Sequence, residues 1–559
     1  MMKTKTDDEI VHIEGAGVEF LRMKADFATR LGEAMISSKG SVSFPVAFFP
    51  TIEDLFDKYR LEKTEALQAL APFSEHMEAR GKSLEIIEGD FRPSLPKNWN
   101  DILDPAQITA VAAMVVPRLR GLCLFDEQGT GKTVMSIAAF DILRDADEID
   151  AMIVICPKSM VSEWPKDLKR FLGNEIQIVI AEGSRLQKRD AALKEFDVLV
   201  TNYEGVDPML VALSGTATKR RYLLVVDESF YVKNSDTLGA ETATLLRARC
   251  KRCFVLCGTP APNSAHDLIN QFNLADQGFT FGGFRKSKDP DDDWLKITTL
   301  VDARGLFIRR LKSEVLDHVP EKNFHVIRVE LTSKQALMYE TARNELEIEL
   351  RNLNNETFRK KLFTYFQRRS ALLQICACPT AIDPMFSDVP VKYVELDKIL
   401  DNLISAGRKV VIWSFYKKSL DEICQRYAKF NPVRVDGSVS TIDRKEAVRA
   451  FQEDAETMLF VGNPSAAGAG ITLHSSYDAV YVSFSNQAAH YLQSLDRIHR
   501  RGQISDEVNY YLLICKNTVE ETELIRLRGK EINQHTLLSD HIPWPSSLDE
   551  ALTELQGHG

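Results

Sequence analysis

The stretch LFDEQGTGKT, residues 124–133, decides how the rest of the chain is interpreted. It follows a short apolar run and precedes VMSIAAFDIL, which has a helical pattern, and this is the setting of a phosphate-binding loop. Its glycines would let backbone N–H groups approach phosphate oxygens, Lys132 would reach the β- and γ-phosphates, and the Thr133 hydroxyl would bind Mg²⁺. The generic pattern GxxxxGK(S/T) has glycine where Asp126 stands. The stretch therefore predicts a nucleotide site between a strand and a helix, with one departure from the pattern.

Short apolar runs alternate with helical stretches on both sides of this loop. Their length and β-branched content are typical of buried parallel strands. In the first half of the chain they are LCLFD, AMIVICP, IQIVIA, FDVLVTN, YLLVVDE and CFVLCGT, and in the second half KVVIWSF, VRVDG, TMLFVGN, AVYVSFS and VNYYLLIC. Because a helical stretch follows most of them, each half is predicted to form a doubly wound α/β lobe.

Changes of character along the chain predict five segments. The segment between the lobes carries long charged helices, predicted at 333–353 and 358–375. The predicted order is a small N-terminal α+β accessory domain (1–100), a first lobe (101–310), a helical linker (311–385), a second lobe (386–535) and a C-terminal tail (536–559).

Composition narrows the function classes. The chain has 559 residues, 27% of them charged and 44% hydrophobic, which is typical of a globular protein and excludes a disordered or fibrous one. No apolar run reaches the roughly 18 residues of a membrane span, and the N-terminus lacks an apolar leader, so we expect a cytoplasmic protein without a membrane partner. The net charge of −10 excludes a histone-like surface, although a local groove can still bind nucleic acid.

A pair of acids supplies the second half of a hydrolytic site. The sequence YLLVVDES places Asp227 and Glu228 at the end of an apolar run. Ligands of parallel sheets gather at the carboxyl ends of the strands, which is also where the phosphate loop lies. Asp227 suits a Mg²⁺ shell, and Glu228 can act as a general base on the attacking water. The expected reaction is ATP hydrolysis.

With both sites in place, the chain resembles the Swi/Snf-type DNA translocase ATPases of helicase superfamily two, the DEAD/DEAH-like enzymes. The resemblance runs from about residue 106 to 503 and keeps the order of the motifs. The family's phosphate loop carries aspartate where the generic pattern has glycine, as DEQGTGKT does here. The other matching segments are DPAQITAV (104–111), VICPKSMVSEWPKDLKRF (154–171), TNYE (201–204), LCGTPAPN (256–263), FIRRLKSEVLDHVPEK (307–322), RRSALLQICACP (368–379), NPSAAGAGITL (463–473) and QSLDRIHRRGQ (493–503).

This resemblance implies two RecA-like lobes, with ATP and Mg²⁺ as cofactors. It implies that Gln107 reads adenine and that LCGTPAPN couples the ATP site to DNA. The nucleotide contacts it implies are Gln107, Asp126, Glu127, Gln128, Gly129, Thr130, Gly131, Lys132, Thr133, Gly470, Arg497 and Arg500, with Thr133 and Asp227 as metal ligands.

Two arginines of QSLDRIHRRGQ are predicted to complete catalysis. Arg497 and Arg500 are three residues apart on a predicted helix and would share one face. The resemblance implies that they act as arginine fingers from the second lobe, joining Lys132, Asp227 and Glu228. The alternative is a solvated basic helix face.

The resemblance also implies contacts with the DNA backbone and a motor function. The contacts would be Lys158, Ser159, Thr201, Asn202 and Tyr203 in the first lobe, and Trp413, Ser414 and Ser465 in the second. The expected function is an ATP-driven motor on double-stranded DNA that remodels protein–DNA complexes or branched DNA. The alternatives are a strand-separating DNA or RNA helicase and a nucleotide-gated switch that recruits a partner such as a nuclease.

Three further features of the sequence lead to expectations, and the first of them is a departure from the family pattern. The family usually has histidine after the paired acids and a small residue, where this chain has Phe230. The link from the ATP site to LCGTPAPN would then run through another residue, or the basal ATPase would be looser. Trp164 is interpreted as a core residue. The compact region between the lobes favours a prokaryotic or viral member acting in the cytoplasm, with residues 1–100 as a possible surface for a protein partner.

Overall fold

The computed structural model divides into two compact units, residues 1–127 with 131–311 and residues 312–559 with 128–130. Each unit is built around a parallel sheet, so the two-lobe α/β class is confirmed. The structure describes residues 2–7, 10–31, 35–46, 49, 52–89, 92–96, 98–217, 220–258, 260, 265–281, 284, 286–287, 290–304, 307–315, 320–353, 357–358, 361–465, 471–484, 488–500, 503, 505–533, 552 and 555.

The first unit opens with a small α+β domain, as expected. Its antiparallel sheet has the order β1-β2-β4-β3, and its core is aromatic, with Phe27, Phe44 and Phe49 packed around Phe56. Ala79 of the third helix belongs to the core of the lobe that follows, so this domain packs directly on it. The elements are β1 (Lys3–Asp7), β2 (Ile10–Glu14), α1 (Val18–Leu31), β3 (Ile36–Ser37), β4 (Ser41–Pro45), α2 (Glu53–Lys58) and α3 (Thr64–Glu88).

The lobe of the first unit has a parallel sheet in the order β11-β5-β10-β9-β6-β8-β7. All six predicted strands are confirmed, and the sheet adds β11 at one edge. Central strands such as β6 and β9 are buried along their whole length because helices cover both faces. The strands are β5 (Gly121–Leu124), β6 (Ala151–Cys156), β7 (Ile178–Ala181), β8 (Val198–Asn202), β9 (Tyr222–Asp227), β10 (Arg252–Leu256) and β11 (Phe307–Ile308).

Two of the α-helices described in this lobe precede β5, two lie between β10 and β11, and the others alternate with the strands. They are α4 (Trp99–Ile102), α5 (Pro105–Met114), α6 (Lys132–Asp145), α7 (Trp164–Leu172), α8 (Arg185–Ala192), α9 (Val206–Ala217), α10 (Leu238–Arg247), α11 (Ile269–Asp276) and α12 (Pro290–Arg304).

The second unit has a parallel sheet in the order β12-β17-β16-β13-β15-β14. The five predicted strands are confirmed. Its elements are α13 (Lys312–Val315), β12 (Glu321–Val329), α14 (Ser333–Arg351), α15 (Leu362–Ala377), α16 (Val391–Ser405), β13 (Val410–Trp413), α17 (Lys417–Arg426), β14 (Val433–Val435), α18 (Thr441–Glu453), β15 (Leu459–Gly462), β16 (Asp478–Tyr481), α19 (Ala488–Leu495), β17 (Glu507–Cys515) and α20 (Val519–Asn533).

The expectation of a helical linker over 311–385 is corrected here. Strand β12 lies inside that segment and pairs in parallel with β17 along its whole length. The two predicted helices are confirmed as α14 and α15. They pack into a core with Cys515 and Val519, so the segment is part of the second lobe. The sequence of β12, EKNFHVIRV, mixes charged, polar and apolar residues because it is an edge strand, which made it inconspicuous beside the fully apolar runs.

The predicted tail, 536–559, lies outside the described residues apart from Leu552 and Leu555. Among the described helices, none combines the length and the apolar character that crossing a membrane requires.

Candidate active site

The phosphate loop leaves β5 and ends where α6 begins at Lys132. Gly129 and Gly131 have φ angles of +88° and +94°, in the left-handed region that favours glycine. A side chain at Gly131 would also collide with the amide nitrogen of Gln107. These two glycines therefore set the shape of the loop.

Gln107 has a local structural role beside the loop. It is the third residue of α5 and forms a capping box, in which its backbone N–H donates to Asp104 at 2.8 Å and its side-chain oxygen accepts from the Asp104 backbone N–H at 3.2 Å. The capping box and the contact with Gly131 hold the amide of Gln107 against the phosphate loop.

The carboxylate of Asp126 is buried and forms an ion pair with Arg310. The Arg310 Nε lies 3.1 Å from Asp126 Oδ1, and Arg310 also donates to the Ala106 carbonyl. The side chain that departs from the generic pattern is thus turned toward a guanidinium, which neutralises its charge. It ties the loop to the start of α5 and to the chain after β11, while the expected contact of Asp126 with nucleotide stays a prediction.

We expect Asp126→Asn to lower the free energy of unfolding by about 3 kcal/mol, the lower end for breaking a buried ion pair, because Arg310 is still 17% exposed. Chemical denaturation followed by tryptophan fluorescence measures this change. The matched control is Glu75→Gln, which breaks an ion pair with Arg118 in which both side chains are largely exposed. Equal shifts for the two variants would contradict the structural role of Asp126.

Lys132, which is predicted to contact phosphate, is buried within the phosphate loop. Its ammonium donates to the carbonyl oxygens of Asp126 and Glu127, at 2.7 and 3.1 Å. Burial lowers its pKa, and the charges of Glu228 and Asp126 oppose this effect. Thr133 lies half-buried in the first turn of α6, where the helix N-terminus favours negative charge.

Asp227 is the last residue of β9 and Glu228 follows it, and aromatic side chains hold this segment. The indole N–H of Trp164 donates to Asp227 Oδ2 at 3.0 Å, and the Tyr203 hydroxyl donates to the backbone carbonyls of Asp227 and Glu228. Glu228 has a φ of +53°, a left-handed conformation that costs of order 1–3 kcal/mol outside glycine and is often found at functional sites. Trp164 is fully buried, as predicted, but its bond to Asp227 was missed because no sequence pattern links the two.

Burial and the neighbouring Glu228 raise the pKa of Asp227 to about 7, against the opposing effects of Trp164 and Lys132. The folded state therefore keeps this proton to a higher pH than the unfolded chain does, and this group lowers stability as pH rises from about 4 to 7. Asp227 and Thr133 present the oxygen donors that Mg²⁺ prefers, and a buried carboxylate is stabilised by a cation, so these residues fit the ion.

A proton on Asp227 competes with a cation for the same oxygen. We expect the Mg²⁺ concentration for half-maximal ATPase activity to rise about tenfold from pH 8 to pH 6, because most Asp227 side chains are protonated one unit below their pKa. Magnesium titrations at the two pH values measure this change. A midpoint that is independent of pH would contradict the raised pKa.

The sheet order places the catalytic segments side by side. Strand β10 lies between β5 and β9, and neighbouring strands of a sheet are about 4.8 Å apart. The phosphate loop after β5 and the acids at the end of β9 therefore start two strand spacings from each other. The segment LCGTPAPN begins at this end of β10, and its Gly258 and Pro260 are described, whereas the rest beyond Cys257 lies outside the described residues.

Three of the expected DNA contacts of the first lobe share one sheet edge. Lys158 and Ser159 follow β6, Asn202 ends β8, and these strands are neighbours. The Lys188 ammonium donates to the Asn202 side chain at 3.2 Å and adds a cation that the sequence did not indicate. The structure does not bring Thr201 to this surface, because it is fully buried and donates to the Ala181 carbonyl.

Three other expected contacts are corrected by burial. The Tyr203 hydroxyl is used on the acid segment, as described above. Trp413 is fully buried against Phe460, and the Ser414 hydroxyl, also fully buried, bonds to that of Ser483. The contacts of these buried side chains lie within the interiors of their own lobes.

Ser465 is exposed, and its hydroxyl donates to the Asn463 side chain at 2.6 Å. The expected nucleotide contact Gly470 lies outside the described residues.

The two arginines of QSLDRIHRRGQ differ from the expectation of one helix face. Helix α19 ends at Leu495, and both arginines lie in the turn that follows. Arg497 is 1% exposed and donates to the carbonyls of Gln493 and Ile471, whereas Arg500 is partly exposed and donates to the Thr472 hydroxyl at 2.6 Å. Arg497 therefore has a structural role, and Arg500 is the candidate for a contact with phosphate.

Comparison with protein families decides the identity of these segments. Residues 106–380 match the SNF2-related domain, and residues 392–502 match the helicase conserved C-terminal domain. The chain carries an SNF2-related domain followed by a helicase C-terminal domain. It is homologous to ATPases of the SWI/SNF and ISWI type.

The relatives that this chain matches include proteins more than twice its aligned length. The ISWI chromatin-remodeling complex ATPase ISW1 of Saccharomyces cerevisiae is 28% identical over 516 residues, which is 85% of this chain and 44% of that protein. The SWI/SNF-related matrix-associated actin-dependent regulator of chromatin subfamily A-like protein 1 of Xenopus tropicalis is 26% identical, over 73% of this chain and 42% of that protein. The chain thus spans less than half the length of these relatives.

Among solved structures, the SWI2/SNF2 ATPase core of Sulfolobus solfataricus in complex with dsDNA is 22% identical, and the alignment covers 81% of this chain and 95% of that one with a TM-score of 0.37.

The first residue of the second unit's main segment is bonded to the arginine segment of the same unit. Lys312 is 2% exposed and donates to Asp496 at 2.7 Å and to the His499 carbonyl at 2.9 Å. Burial alone would raise the pKa of Asp496, but the Lys312 ammonium lowers it well below its usual range. Asp496 precedes Arg497, so this ion pair fixes the arginine segment to the start of the second unit.

Proposed function

We propose that the chain is a DNA-stimulated ATPase that moves along double-stranded DNA. The observation that carries the proposal is the pair of buried acids, held by Trp164 and Tyr203 and interacting electrostatically with Lys132 of the phosphate loop. A buried carboxylate pair beside a buried lysine at one sheet edge suits hydrolysis of a nucleoside triphosphate. The homology to ATPases of the SWI/SNF and ISWI type supports the same reaction.

Each residue of the site would contribute one physical effect. Glu228 would orient the attacking water and accept its proton, and Lys132 would exchange the loop carbonyls for phosphate oxygens. Mg²⁺, held by Thr133 and Asp227, would supply positive charge to the phosphate oxygens. Arg500 would stabilise charge that develops on the transferred phosphoryl group.

Contacts with phosphates suit a motor because they hold DNA of any sequence and can be released. Lys158, Ser159, Asn202 and Lys188 are the side chains of the first lobe that would make such contacts, and Ser465 is the one in the second. Tyr203 follows Asn202 and bonds to the acid segment, so a change at the DNA surface would reach Glu228 through two adjacent residues. This short connection supports stimulation of hydrolysis by DNA.

Displacement of a triplex-forming strand from a linear duplex tests the motor. We expect ATP-dependent displacement by the unaltered chain and none by Glu228→Gln. Stimulated ATP hydrolysis without displacement would favour a nucleotide-gated switch. Separation of duplex strands would favour a helicase. No stimulation by any nucleic acid would overturn the proposal.

We also propose remodelling of protein–DNA or branched DNA as the outcome of movement, since a motor that holds both duplex strands displaces what is bound to them. The cytoplasmic location, the prokaryotic or viral source and a protein partner for residues 1–100 stay predictions.

A further inference from the structure

A buried glutamine joins the segment after the acids to the segment LCGTPAPN. Gln271, on α11, has no exposed surface. Its side-chain oxygen accepts a 2.6 Å hydrogen bond from the Ser229 hydroxyl, and its side-chain nitrogen donates to the carbonyl oxygens of Pro260 and Asp267, each at 2.6 Å. One amide thus contacts both the residue that follows Glu228 and a residue that follows β10.

The orientation of this amide is determined by its partners. If it were rotated by 180°, its oxygen would face two carbonyl oxygens, neither of which can donate a hydrogen bond. A buried amide with an unsatisfied group is costly, so the two ends of the link cannot exchange partners. Displacement of Pro260 would therefore pull on Ser229 or break the link.

A hydrogen bond and an ion pair also attach α11 and the residues just before it to the segment that follows the acids. Asn270 donates to the Val232 carbonyl at 2.5 Å, and Asp267 pairs with Lys233 at 3.2 Å. These bonds hold the segment in place, but the bond from Gln271 is the one that continues to Pro260. This difference makes Asn270 a matched control for Gln271.

Phe230 is where the family resemblance leads one to expect histidine. Its ring packs against Tyr231, with centroids 4.5 Å apart, and a phenyl ring forms no ordinary hydrogen bond. The polar link between the acid segment and LCGTPAPN is made one residue earlier, by Ser229, with a partner on a different element. Both side chains of this link are fully buried, so water does not compete for it.

We propose that Gln271 is a positioning residue that couples the LCGTPAPN segment to Glu228, and that stimulation of hydrolysis by DNA depends on it. This inference rests on the proposed function. Glu228 is adjacent to Ser229 and has a left-handed backbone, so a shift of Ser229 changes the direction of the Glu228 side chain. The link transmits movement of one segment to the other without contacting nucleotide or DNA.

The test compares basal and duplex-stimulated ATPase rates of Gln271→Met, Ser229→Ala and the control Asn270→Ala. We expect the ratio of stimulated to basal rate to fall at least about fivefold in the first two variants, the lower end of typical coupling between sites. Basal rate and the affinities for ATP and duplex DNA should stay within about threefold of the unaltered chain, and Asn270→Ala should keep its ratio. The double variant Ser229→Ala/Gln271→Met should lose no more than either single one, because both break one link.

Ser229→Ala removes one hydroxyl and tests the link even where Gln271→Met lowers stability. An unchanged ratio in Ser229→Ala, or equal falls in basal and stimulated rates, would overturn the coupling role while leaving the proposed function intact. An unaltered chain that DNA does not stimulate would overturn both.

Discussion

Replacing Glu228 with glutamine is expected to lower kcat for ATP hydrolysis by about 10²–10⁴-fold, the usual contribution of a general base. Glutamine keeps the size and the hydrogen-bonding reach of the side chain but cannot accept the proton of the attacking water. Affinity for ATP should change by less than about threefold, since the phosphate loop is intact. Single-turnover hydrolysis and binding of a fluorescent nucleotide analogue separate these two effects.

Glu175→Gln is the matched control for this substitution, because Glu175 is an exposed glutamate of the same unit. It should leave both measurements unchanged. Glutamine and glutamate have similar backbone preferences, so the left-handed conformation at Glu228 should survive and thermal unfolding should not shift. A Glu228→Gln variant that hydrolyses ATP at the normal rate would exclude Glu228 as the base.

The second large effect is expected at Arg500. Arg500→Ala should reduce kcat by about 10³-fold or more, within the range reported for arginine fingers, and should leave the fold intact. Arg500 is partly exposed and donates to the Thr472 hydroxyl. Steady-state ATPase assays with saturating ATP and duplex DNA measure the loss.

Arg497→Ala is the comparison that separates the two arginines. Its guanidinium is buried and satisfies two carbonyl oxygens, each of which costs about 1–3 kcal/mol when it is left without a partner. We therefore expect a clear fall in the thermal unfolding midpoint for Arg497→Ala and none for Arg500→Ala. Loss of activity in Arg497→Ala without loss of stability would contradict this division of roles.

The parallel strands were the most predictable part of the fold. The runs of the central strands were confirmed because a strand that is buried on both faces must be apolar along its length, and the sequence displays this directly. Strand β12 was missed for the same reason. It lies at the edge of the sheet, pairs with β17 on one side and keeps charged residues such as Arg328, so its pattern does not stand out.

The expected DNA contacts show the limit of motif matching. A motif indicates which residues belong together, but the direction of a side chain depends on packing by residues distant in sequence. Thr201 belongs to the matching segment TNYE and is nevertheless fully buried, as is the expected contact Trp413. Trp164 and Tyr203 bond to the acid segment across separations that no local pattern records.

The sequence by itself determined the chemistry of this protein: the phosphate loop, the paired acids and two sheets that bring such groups to one edge. These follow from local patterns, because glycine conformation, strand burial and residue spacing act over a few neighbours. Only the tertiary structure decided that Asp126 pairs with Arg310, that Arg497 is structural and that Gln271 joins Ser229 to Pro260. Buried polar groups must find partners wherever the fold brings them, and those partners are distant in sequence.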